Sequence, residues 1–79
     1  MTINELKLRL RDEGCSDWSY RLNYDNTFSE CYILSRSGEQ WQVLHRERGD
    51  TDILSIWESE EEACDEFLRV MLKDPMTRR

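Results

Sequence analysis

One histidine, His45, and three cysteines, Cys15, Cys31 and Cys64, are the residues of this 79-residue chain with nucleophilic or soft-metal chemistry. A cysteine–histidine nucleophile needs both side chains within hydrogen-bonding reach and a third group to orient the ring. Spacing alone does not bring His45 to any of the three thiols. A zinc site needs a fuller ligand set, and the chain has neither a Cys-x-x-Cys pair nor a second histidine. Cys64 falls on the apolar stripe of a helix and reads as a small hydrophobe, Cys31 falls within a strand, and Cys15 follows a helix end. The three glycines read as turn or cap residues, which leaves no loop to cradle a phosphate. The expectation is a protein without metal or cofactor that is not an enzyme, with His45 catalysis as the minor alternative.

The carboxylates carry more information. Seventeen acids face eleven Lys and Arg, for a net charge of −6. The excess is concentrated: residues 1–48 sum to −1, residues 49–74 to −7 and residues 75–79 to +2. Within the acidic third run Glu58, Glu60, Glu61, Glu62, Asp65 and Glu66, preceded by Asp50 and Asp52. Work as a general acid and base needs carboxyls in unequal, partly buried settings, which a run open to water does not provide. Acids in a helix's first turn are stabilised by the helix dipole, by about 0.3–1 kcal/mol each, and half the run fits that account. Glu62 and Glu66, four apart, repel one another, and Asp65 is placed to pair with Arg69. A face that keeps such self-repulsion is either a solubilising surface or a docking site for a cationic partner. The second reading assigns partner binding to Asp50, Asp52, Trp57, Glu58, Glu61, Glu62, Asp65 and Glu66.

The same field repels nucleic acid and anionic lipid. A lesser alternative is a single-stranded RNA surface, with Lys7, Arg9, Arg11, Arg46 and Arg48 beside Tyr20, Tyr32 and Trp41 as stacking rings.

These side chains must be positioned by a fold of modest size, one domain over residues 1–79. Thr2 and Glu5 form a capping box, and Ile3, Leu6 and Leu10 recur on one face, predicting a helix over 3–13 that stops at Gly14. Leu8 lies on its other side, either in solvent or covered. Trp18, Tyr20, Leu22 and Tyr24 alternate with polar residues and predict a strand. A turn at Asp25, Asn26 and Thr27 leads to a strand over 29–36, a hairpin at Ser37-Gly38, a strand over 40–48, a turn at Gly49-Asp50 and a strand over 52–57. Every connection reads as too short for a parallel crossover, so the four strands should form an antiparallel meander. Ser59 and Glu62 cap a second helix, whose stripe of Ala63, Cys64, Phe67, Leu68 and Met71 continues to about residue 73. Asp74-Pro75 ends it, leaving residues 75–79 as a short basic tail that should fray.

The fold class is thus α+β, a two-layer sandwich of order α-β-β-β-β-α with both helices on one sheet face. The last three strands carry apolar residues on both faces, more than one helical layer covers. Loops, a homodimer or another protein would cover the remainder. No apolar run approaches the ~20 residues needed to span a bilayer. Charges interrupt the opening MTINELKLRL, and the cysteines are sparse and odd in number, so the chain reads as cytoplasmic.

The stretch Glu61-Glu62-Ala63-Cys64, with Phe67-Leu68, Leu72, Asp74-Pro75 and Arg78, resembles the C-terminal part of small immunity proteins encoded beside bacterial polymorphic or contact-dependent toxins. The strand Trp41-Gln42-Val43 followed by Glu47-Arg48-Gly49 is similar to that pattern too. The resemblance covers about the C-terminal half and implies a non-catalytic cytosolic inhibitor. Such a protein binds one cognate toxin domain, often a nuclease, and blocks its active site or a neighbouring surface. These interfaces diverge with their toxins, so the resemblance transfers no binding residue. The other reading is a small accessory or regulatory subunit of a cytosolic complex.

Overall fold

Thr2 Oγ1 accepts a hydrogen bond from the Glu5 amide at 3.2 Å, and Glu5 Oε1 accepts one from the Thr2 amide at 3.1 Å. This closed capping box starts helix α1, Ile3–Asp12, which ends at Glu13 and Gly14. A computed structural model describes residues 1–23 and 30–78 of the chain. Strands β1 (Tyr20–Arg21), β2 (Cys31–Ser37), β3 (Gln40–Glu47) and β4 (Asp50–Trp57) follow, then helix α2, Glu60–Lys73. Short 3-10 turns at Asp17–Ser19 and Pro75–Thr77 precede β1 and follow α2. The expected turn at 25–27, with Tyr24 and Ser29 on either side, lies outside the described residues, as does Arg79.

The α+β sandwich is present, with the sheet in the order β1-β2-β3-β4. β2, β3 and β4 form the antiparallel meander. The first strand departs from expectation: β1 is two residues long and runs parallel to β2, with Tyr20 beside Tyr32 and Arg21 beside Ile33, so the sheet is mixed. The predicted strand fails at its start because Trp18 belongs to the 3-10 turn, where Ser19 donates to Ser16 and the chain swings round. With β1 so short, the chain has only about 7 Å of strand to retrace before β2 begins, which relaxes the usual need for a long crossover.

Alternation sorts the side chains. Leu34 and Val43, paired in register, face the helices and join Leu6, Leu10, Ala63, Cys64, Phe67 and Met71 in the main core. Ile33 and Leu44, also paired, pack with Cys31 on the sheet's outer face. Leu8 is exposed, which settles its two readings.

The C-terminal segment is not frayed through Arg78. Thr77 is buried, and its carbonyl accepts from the Ser16 amide at 2.7 Å, Ser16 Oγ at 3.0 Å and Ser19 Oγ at 3.2 Å. Its hydroxyl donates back to the Met71 carbonyl at 2.8 Å, and Arg78 bridges to Cys15. Sequence patterning missed this clamp because Ser16 and Ser19 lie 61 and 58 positions from Thr77.

The β3–β4 hairpin turns at Arg48-Gly49, one residue earlier than expected, with φ of 53° and 87°. Two successive positive φ values suit a two-residue primed turn, where Asn-Gly is favoured. Arg48 is the one described non-glycine residue in the left-handed region, at a cost of about 1–2 kcal/mol for an ordinary side chain. Arg48→Asn is expected to raise stability by about 0.5–1 kcal/mol, read as a higher urea midpoint at constant slope.

Candidate functional site

The acids of α2 divide by what they touch. Ser59 caps the helix, accepting from the Glu62 amide at 3.2 Å while its hydroxyl donates to Glu62 Oε1 at 3.0 Å. Glu60 turns inward, its Oε2 accepting from the Ile3 amide at 2.8 Å and so tying the starts of the two helices together. Asp65 Oδ1 lies 3.4 Å from the Met1 ammonium. Glu66 pairs fork-on-fork with Arg69. The expected Asp65–Arg69 pair therefore does not form, because the i,i+3 arrangement delivers both guanidinium donors to Glu66. Glu58, Glu61 and Glu62 are exposed, and the described residues offer them no ion pair.

Hydrogen bonds from Arg69, with its charge and that of Lys73, hold the Glu66 carboxyl below its ordinary range. A depressed carboxylate contributes stability at neutral pH that disappears as pH falls through its folded-state pKa. Followed by NMR, Glu66 is expected to protonate at lower pH than a free glutamate, and Arg69→Gln to return it to the ordinary range. An unchanged titration in that variant would show the pair to be absent in solution.

The remaining predicted residues are not gathered at this site. Trp57 is half-buried against the main core, with its indole N–H donated to Ser55 Oγ at 2.8 Å. Asp50 and Asp52 begin β4, whereas Glu58 follows its end, which separates them by roughly 23 Å of extended strand. Asp52 pairs in register with His45, near the C-terminal end of α2 rather than its acidic start. The expected single acidic surface is two.

Near that second group lies a cavity of about 120 Å³ between the two 3-10 turns and the ends of β2 and β3. Trp18, Glu30, Tyr32, His45, Asp74 and Met76 contribute to its walls. The Tyr32 and His45 rings tilt together with centroids 4.6 Å apart. Tyr32 donates its hydroxyl to Asp74 Oδ2 at 2.8 Å, and Asp74 Oδ1 accepts from the Met76 amide at 3.0 Å. Burial, followed by the Asp74 hydrogen bond and charge, pushes the Tyr32 phenol up to about 12, so it remains a donor. His45 Nε2 is 3.9 Å from Glu30 Oε1. No local pattern announces this cavity, whose walls come from four separated segments.

Two of the three thiols are poor nucleophiles. Burial first, then neighbouring acids, pushes the Cys64 thiol up to about 11, and burial raises Cys15 as well, so both stay protonated at neutral pH. Among the described residues, no cluster of His, Cys, Asp and Glu has the makings of a metal site. The rings named for RNA stacking do not form an open platform. Tyr20, Tyr32 and Trp41 all pack partly into the core, with the Arg36 guanidinium 5.6 Å from the Trp41 ring centre.

β4 exposes three aliphatics, 47% to 56% accessible: Ile53 and Ile56, paired with Leu44 and Gln42 on the outer sheet face, and Leu54, unpaired at the register shift between them. This is the excess apolar surface expected from the strand sequences. Among the described residues, no helix is long and apolar enough to cross a membrane. Comparison of the chain with protein-family models, with curated proteins and with solved structures finds no match.

Proposed function

We propose that this chain is a non-catalytic binding module, an immunity protein that neutralises a cognate bacterial toxin domain with a basic surface inside the cytosol. The observation that carries the reading is the set Glu58, Glu61 and Glu62, exposed at the start of α2 with no ion pair among the described residues. They belong to a segment of net charge −7. A basic nuclease surface is attracted to such a field over distances beyond direct contact, which raises the association rate. The resemblance of the C-terminal half to immunity proteins supports the same role. Asp50 and Asp52 supply a second acidic patch for a partner large enough to reach both.

The test is protection. Cells expressing the toxin domain encoded beside this gene are expected to grow only when the chain is co-expressed, and the purified pair to elute as one complex. A gene neighbourhood without any toxin domain, or death despite co-expression, removes the proposal.

Ile53, Leu54 and Ile56 favour a second reading, an accessory subunit or homodimer held through the outer sheet face. Association that survives high salt and is lost in Ile53→Lys or Ile56→Lys would select it.

A further inference from the structure

We infer that the cavity between the two 3-10 turns is a receptor for a single arginine side chain presented by the partner protein. The inference rests on the proposed binding role but uses residues away from the acidic start of α2.

Size comes first. At about 120 Å³ the cavity is well below the roughly 300–1,000 Å³ of sites that enclose metabolites, but it is comparable to one long side chain. Charge comes second. The described lining holds two carboxylates, Glu30 and Asp74, and neither lysine nor arginine. Glu30 is largely open to water, with 68% of its side chain accessible, so it meets an incoming cation without rearrangement. Asp74 has one bond to each carboxylate oxygen and keeps further lone pairs. An anionic group is repelled from such a lining.

Shape distinguishes the two cationic side chains. Trp18 and Met76 stand at the rim with 60% and 74% of their surface accessible, an unusual state for large apolar residues. A planar guanidinium stacks on an indole face and is more weakly hydrated than an ammonium, so it loses less on entering. The methylenes of arginine then cover apolar surface that is otherwise wet.

The rim is also held in advance. Trp18 and Met76 each sit within one of the 3-10 turns. The Thr77 carbonyl binds those turns together through Ser16 and Ser19. Little ordering remains to be done when a ligand arrives.

The probe is N-acetyl-arginine amide, titrated into the full chain and followed by the NMR signals of the Trp18 indole and the His45 ring. Saturable shifts are expected at these groups, about threefold weaker in Glu30→Gln, as for one exposed ion pair, and weaker again in Trp18→Ala. The norleucine analogue should not bind, and the lysine analogue should bind less well than arginine. Shifts that do not saturate, that centre on Glu58 and Glu61, or that are indifferent to Glu30→Gln overturn the inference. Because no toxin is used, such a failure is separate from a failure of the protection assay.

Discussion

Phe67→Ala is expected to lower the free energy of unfolding by about 3–5 kcal/mol, the cost of removing a buried aromatic ring together with the cavity it leaves. Phe67 has no accessible surface and is the largest of the fully buried side chains among the described residues. It belongs to the single cluster in which α1, α2 and the inner sheet face meet, so neighbours fixed in three elements limit how far the gap can close. A domain of this size holds only about 4–12 kcal/mol in total at typical values per residue. The variant should therefore unfold at a much lower urea concentration with an unchanged slope. Leu8→Ala, on the exposed side of α1, should stay within about 0.5 kcal/mol of the parent. A loss below about 1 kcal/mol for Phe67→Ala would mean that α2 is not seated on the sheet through this ring.

The second large effect is kinetic. Glu58→Lys combined with Glu61→Lys shifts the net charge from −6 to −2 and reverses two exposed acids at the start of α2. Association with a basic toxin domain is expected to slow by about tenfold or more at low salt, and the salt dependence of the rate to flatten. Glu62 is left in place because it bonds the Ser59 cap, and Glu66 because Arg69 already neutralises it. The stability cost comes from Glu61, through its dipole contribution of about 0.3–1 kcal/mol and its attraction for the Met1 ammonium. An association rate indifferent to both reversals would remove this surface from the interface, whatever the partner.

Particular residues show how far the chain could be read without its structure. The Thr2–Glu5 and Ser59–Glu62 pairs marked both helix starts, and Leu6, Leu10, Phe67 and Met71 marked the faces that became core. The hairpins joining β2 to β3 and β3 to β4 were placed to within a residue or two. At the site, the exposure of Glu58 and Glu61 followed from their place in the acidic run. The fate of Asp65 and Glu66 did not, because two acids compete for Arg69 and rotamer geometry decides between them. Trp57 looked available as an anchor, yet its ring faces the core because the alternation along β4 turns it towards the helices.

What the sequence determined by itself is what short-range physics controls: capped helices, their apolar stripes, the antiparallel hairpins and a concentrated negative charge. Their causes lie within a few residues of one another, and backbone geometry is nearly the same wherever such patterns occur. Only the tertiary structure decided the parallel first strand, the Thr77 clamp and the aromatic, acid-lined cavity. Tyr32 and Asp74 are 42 positions apart, Ile3 and Glu60 are 57, and Ser16 and Thr77 are 61. Contacts of that span exist only after the whole core has closed, since closing each loop alone costs more entropy than one hydrogen bond returns.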